Sequence, residues 1–156
     1  MRIPTLFFTP HIPLAQIVIL RHNRSRGEEV KLPRAILEQM VAQARADAPL
    51  ESCGLLAGRD ECAMRVLPVP NVLRSPVQYR MGGQEFAEAM IACDFEPLAI
   101  YHSHPAGPPV PSPTDIAEAF YPDSVYIIIS LAHEPPSVRA FYITGGGVTE
   151  IELQAE

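Results

Sequence analysis

The stretch PLAIYHSHPAGPPVPSPTD, residues 97–115, decides how the rest of the chain is read. Its first part, Pro97 to His104, has the short apolar composition of a strand. Five prolines between Pro105 and Pro113 then make a loop that neither helix nor sheet can cross easily. Ser112, Pro113 and Asp115 follow as a helix start, with a side-chain cap, a proline at the first helical position and a carboxylate in the first turn. Successive strand side chains point to opposite faces, so His102 and His104 project from the same one.

Outward from this stretch the pattern alternates. Toward the C-terminus the helix is expected to stop near Pro122, and Val125 to Leu131 is a continuous apolar, β-rich run, as expected of a strand covered on both faces. Val138 to Ile143 and Val148 to Leu153 read as a closing hairpin across Gly145, Gly146 and Gly147. Toward the N-terminus, Lys31 to Arg45 reads as an amphipathic helix, with Pro33 in its first turn and Ile36, Leu37, Met40, Val41 and Ala44 at helical spacing. Gly54 to Gly58 and Cys62 to Val69 read as strands separated by Arg59, Asp60 and Glu61, and Val77 to Met81 as a short third strand. A second helix places Phe86, Ala89, Met90 and Cys93 on one face. The order predicts a single α/β (α+β) domain, a mixed sheet flanked by helices, over residues 28–156. Residues 1–27 sit outside the pattern, as an extra strand plus a basic linker or as the product of an over-extended start site.

Composition narrows the function. At 156 residues with 47% hydrophobic side chains, the chain can bury one continuous core. Twelve Lys and Arg against eighteen Asp and Glu leave a net charge of -6 and no basic stripe to neutralise phosphates, so nucleic acid is not an expected partner. Cys53, Cys62 and Cys93 fit neither a disulfide framework nor a CxxC zinc knuckle, which favours a reducing, cytoplasmic setting. Pro4, Pro10 and Pro13 interrupt the apolar start of the chain, so neither a signal peptide nor a membrane span is expected.

The chemistry lies in the opening stretch. Two imidazoles converging from one strand face, with Asp115 as a third donor, would leave a fourth position open, the mark of a catalytic rather than a structural zinc site. Zinc lowers the pKa of a bound water to about 7. A carboxylate must still accept that proton and later deliver it to a leaving amine. Glu51, just before the first of the paired strands, is the candidate, and Ser112 could donate to the oxyanion formed at a carbonyl. Each residue also has an ordinary reading taken alone: an HxH pair on a strand without a metal, Asp115 as a helix-dipole residue, Ser112 as its cap, Glu51 as a surface carboxylate, Cys53 as a small buried residue. Their co-occurrence in one order and spacing favours the functional reading.

His102, Ser103, His104 and Pro105, through Gly107 to Ser112 and Asp115, resemble the signature of JAMM (MPN+) metalloproteases. Glu51, in the context ESCGLLAG, matches that family's upstream glutamate, and the resemblance extends over roughly residues 28–153, including Pro68 to Asn71 and the closing hairpin. It implies a curved mixed sheet of the JAMM/MPN, cytidine-deaminase-like class. One Zn2+ per chain would be held by His102, His104 and Asp115, with Glu51 as general acid/base and Ser112 assisting the oxyanion. The compact length and the ESCG context look more like prokaryotic members, which are associated with ubiquitin-like sulfur-carrier proteins. Such members cut after a C-terminal Gly-Gly, sometimes releasing a newly formed cysteine. An edge strand near the metal could receive that tail by β-augmentation. The competing readings are an isopeptidase acting on other ubiquitin-like conjugates or short peptides, and a non-catalytic protein-interaction module, against which the intact Glu51, His102, His104 and Asp115 set argues. A DNA-repair-associated branch shares part of the motif; the ESCG segment and the acidic charge favour the peptidase branch.

Overall fold

The computed structural model describes residues 27–156 except Gly146, so the extension expected at residues 1–27 lies, Gly27 apart, outside the described residues. The first element is β1 (Glu29–Leu32), where the sequence suggested a helix from Lys31. Val30 and Leu32 alternate into the core, and Pro33, in an extended conformation, delays the helix to α1 (Arg34–Asp47). α1 buries Ile36, Met40 and Ala44, one residue per turn, as the helical spacing requires.

β2 (Cys53–Arg59) and β3 (Cys62–Val69) form an antiparallel hairpin whose turn residues Asp60 and Glu61 are both left-handed. The strand expected over Val77 to Met81 does not form; a single bridge, Asn71 to Met81, takes its place. The main chain there is tied instead by the Asn71 carboxamide, which bonds to Gln78 and Arg80. α2 (Gly83–Ala92) follows as expected, and β4 (Ala99–His104) is buried at every residue. α3 (Pro113–Ala117) begins where the sequence placed it but stops short of Pro122, since none of its residues is buried and little packing propagates it. β5 (Val125–Ser130), β6 (Ser137–Thr144) and β7 (Gly147–Ala155) complete the sheet, with β5 buried throughout.

The strand order is β1-β3-β2-β4-β5-β6-β7, and the mixed sheet curls until it closes. β1 makes the closure, pairing in parallel with β7 from Glu29 to Leu32 and with β3 at Lys31 and Cys62. The expected mixed sheet with helices is present; its closure was not foreseen, because four residues of β1 leave too weak a pattern to read. One side of the sheet packs Leu56, Tyr101, Ile127 and Ile129 with the Met40 side of α1. The other packs Leu55, Ile100, Tyr126 and Ile128 with Ala89 and Cys93 of the α2 segment. Alternation along β4 therefore puts His102 and His104 on the face shared with Ile100. Among the described residues no helix is long and apolar enough to cross a membrane.

Gly54, in the quoted ESCG segment, sits beside Tyr101 in the β2–β4 ladder. The Tyr101 ring crosses over it, so that its hydroxyl donates to Gln43 Oε1 at 2.5 Å. A Cβ on Gly54 would collide with that ring and lie 2.6 Å from the Leu67 carbonyl oxygen, which belongs to backbone and cannot swing away. Gly54→Ala is therefore expected to destabilise the fold by about 1–3 kcal/mol, read as a lower Tm and urea midpoint. An unchanged midpoint would show that the strands can separate locally at no cost.

Candidate metal centre and active site

β4 lies between β2 and β5, with His102 opposite Cys53 and Ile128, and His104 opposite Ser130 at the end of the ladder. Pairing on both sides fixes the main chain at His102, and pairing with β5 fixes it at His104, which sets the direction of both imidazoles. Beyond His104 the proline-rich loop is pinned by two contacts. Ser130 Oγ donates to the Gly107 carbonyl at 2.6 Å, and His104 Nδ1 lies 2.7 Å from the Pro108 carbonyl oxygen. A carbonyl can only accept, so Nδ1 carries the hydrogen and Nε2 presents its lone pair.

The loop delivers the chain to α3 through a capping box. Ser112 Oγ accepts from the Asp115 amide at 3.1 Å, while Asp115 Oδ2 accepts from the Ser112 amide at 2.7 Å. This turns the Asp115 carboxylate toward the histidines. Its Oδ1 is 3.2 Å from His102 Nε2 and its Oδ2 is 3.2 Å from His104 Nε2, and the two Nε2 atoms are 3.0 Å apart. Donor atoms of His102, His104 and Asp115 all lie within 4.8 Å of one another, a group that could hold a metal ion. Ser112 reaches this group through Asp115 rather than through a histidine.

Glu51 closes the site from the other side. It is 4% exposed, its Oε1 lies 4.0 Å from His104 Nε2, and its Oε2 is buried without a partner. All five residues singled out in the sequence are thus brought to one region, three as the cluster, Glu51 beside it and Ser112 behind Asp115. Tyr79 was missed: its ring stacks on His102 with centroids 4.4 Å apart and planes at 23°. It lies in the segment read as a strand, and no periodicity marks it. Cys53, across the ladder from His102, gives its thiol to the Val69 carbonyl at 3.3 Å; burial pushes that thiol up to about 12, which leaves it inert as a nucleophile.

The electrostatics suit a cation. Burial pushes the Glu51 carboxyl up to about 7, with His104 opposing and Asp115 reinforcing the rise. Burial also raises Asp115, but the facing His102 and His104 rings more than reverse it and hold that carboxyl well below the usual range. Burial depresses His102, favouring the neutral ring that a metal ligand requires. Two ring nitrogens and a carboxylate facing one point need positive charge between them, so the donor set fits a divalent ion. The set of two nitrogens and one carboxylate matches known zinc sites with an open position.

Fold and cluster together are those of a JAMM (JAB/MPN) type domain with a group that could hold a metal ion. A family model described as prokaryotic homologs of the JAB domain matches residues 33–144. A CysO-cysteine peptidase from Mycobacterium tuberculosis is 40% identical over 124 residues, covering 74% of this chain and 83% of that protein. A probable TtuB-protein conjugate cleaving protease from Thermus thermophilus is 42% identical over 124 residues, covering 77% and 80% respectively. The crystal structure of a JAB1/MPN domain protein from Archaeoglobus fulgidus shares the fold, with a TM-score of 0.58 at 21% identity over 83% of this chain and all of that one. The chain belongs to the prokaryotic JAB-domain family.

Purified protein is expected to hold about one divalent ion per chain, and a His102→Ala/His104→Ala double variant to lose it, because a single carboxylate retains such an ion poorly. Elemental analysis reads the stoichiometry. Full retention in the double variant would place the ion elsewhere.

Proposed function

We propose that this chain is a zinc peptidase that cuts the peptide or isopeptide bond after the C-terminal Gly-Gly of a ubiquitin-like sulfur-carrier protein. The observation that carries the chemistry is the convergence of His102 Nε2, His104 Nε2 and the Asp115 carboxylate beside a buried carboxylate with one free oxygen. His102, His104 and Asp115 are the ligands of the reading, Glu51 its general acid/base and Ser112 its oxyanion donor. The substrate class is supported by relatives whose names describe a CysO-cysteine peptidase and a protease of TtuB-protein conjugates.

A zinc ion at the cluster would supply Lewis acidity toward a water and the scissile carbonyl. The residues of the chain do the rest. Glu51 takes a proton at its free Oε2 and returns it to the departing amine, a task suited to a carboxyl that burial has moved close to neutrality. Ser112 accepts one hydrogen bond in the cap and keeps its own proton to donate toward the carbonyl oxygen as that atom gains charge. His104, fixed through Nδ1 by Pro108, holds its Nε2 in place throughout.

Glu51→Gln preserves shape while removing the proton acceptor, so it is expected to keep the metal and lose turnover by at least about 100-fold. Zinc content and rate measured on one preparation separate the two roles. A variant as fast as the wild type would remove Glu51 from the reaction.

The substrate is tested by incubating zinc-loaded protein with a carrier protein ending in Gly-Gly-Cys and reading products by intact mass. Loss of the terminal cysteine alone is expected. Replacing the last glycine with valine should depress kcat/KM strongly, because glycine lets a backbone approach a buried centre without a Cβ in the way. Equal cleavage of both tails would point to a broad peptidase with an open groove.

A further inference from the structure

The segment Pro68 to Asn71 matched the family pattern but has no part in the chemistry so far. Asn71 ends it, directly after β3, and its side chain makes four hydrogen bonds. Its Nδ2 donates to the Glu51 carbonyl at 3.1 Å and to the Gln78 carbonyl at 2.9 Å. Its Oδ1 accepts from the amides of Leu73 and Arg80, each at 3.1 Å. A carboxamide offers two donor hydrogens and two acceptor lone pairs, and here all four are used. One side chain thus ties three backbone segments: the residue that precedes β2, the outgoing limb of the 72–80 loop, and its returning limb.

What those segments carry gives the contact its meaning. Glu51 has no strand to fix it, since β2 begins only at Cys53. Its main chain is held by the Asn71 bond on its carbonyl and by donation of its amide to the Ser75 carbonyl at 2.9 Å, and Ser75 belongs to the same loop. The returning limb carries Tyr79, stacked on His102. The adjacent Ser52 is tied to Ser103 of β4, so on the Glu51 side the loop that Asn71 closes adds to that anchor, and on the other it carries the ring against His102.

We propose that Asn71 is a positioning residue, whose carboxamide holds the Glu51 main chain and the 72–80 loop so that the Glu51 carboxylate stays beside His104 and Tyr79 stays against His102. It touches no reacting atom and acts through Glu51, so the inference rests on the role proposed for that residue. Two variants separate positioning from loop folding. Asn71→Ala removes all four bonds. Asn71→Asp can retain both accepting bonds, to Leu73 and Arg80, but turns a carboxylate oxygen against the Glu51 and Gln78 carbonyls, where no donor remains.

With the Gly-Gly-Cys carrier as substrate, both variants are expected to lower kcat about 10- to 100-fold with KM within about 3-fold, while zinc stays near one per chain. In the Glu51→Gln background, Asn71→Ala should cost little more, since residues that act as one unit are not additive. Amide hydrogen exchange gives a readout independent of substrate. The Glu51 amide should exchange faster in both variants, whereas Leu73 and Arg80 stay protected in Asn71→Asp. An unchanged Glu51 amide in Asn71→Ala, or a full further loss of rate on top of Glu51→Gln, would overturn the proposal. If the wild type leaves the carrier intact, the substrate reading falls and the exchange measurement alone decides the role of Asn71.

Discussion

One carboxylate carries the architecture of the site. Asp115 Oδ1 faces His102, while its Oδ2 is shared between His104 and the Ser112 amide that caps α3. A buried carboxylate left without such partners would cost on the order of several kcal/mol. The histidines, the loop and the helix start are therefore fixed together or not at all. This explains a helix of one turn with no buried residue: α3 persists because its first turn is locked to the His102, His104 and Asp115 cluster, not because it packs. It also gives a role to the four prolines of the preceding loop, which restrict the unfolded chain so that less entropy is lost when Asp115 is brought back to β4.

The elements legible in the sequence were those whose signal is local. The i, i+2 spacing of His102 and His104 fixes one face whatever the surroundings, and the Ser112, Pro113, Asp115 start is a complete capping box over four residues. Val125 to Ser130 declares its burial by being apolar throughout. Glu51 has no such signal. Its place just before the first paired strand made it a candidate and the family resemblance matched it, but nothing in its neighbours reveals that Asn71 and Ser75, twenty or more residues away, hold its main chain. β1 was absorbed into the helical pattern because Leu32 and Ile36 are also four apart, and only pairing with β7 shows which period applies. Val77 to Met81 has strand-like composition but pairs only through the Asn71–Met81 bridge, since the Asn71 and Ser75 side chains take up main-chain groups of Val77, Gln78 and Arg80.

Closure of the sheet bears directly on how a substrate tail could be received. β-augmentation at the metal was expected to use an edge strand, but β4, which bears both histidines, is paired along one side with β2 and along the other with β5. β2 is in turn taken by β3, and β5 by β6. Among the described residues β4 therefore has no free edge at His102, and at His104 it pairs with β5 alone. β3 beyond Cys62 pairs with β2 alone among the named strands, and its Val69 end lies across Cys53 from His102. Two interstrand spacings separate that edge from the ligands, about 10 Å. Pro68 and Pro70 carry no N–H, so the edge is blunted at the end nearest the site, as exposed edges commonly are.

In the proposed reading, an extended tail at the cluster would find main-chain partners on the loops beside it, 72–80 on one side and 105–111 on the other. Both are held by side chains rather than by a ladder: the first by the Asn71 carboxamide, the second by Ser130 Oγ and His104 Nδ1. Loops held at a few points have main-chain groups left over for a partner, which a closed sheet lacks.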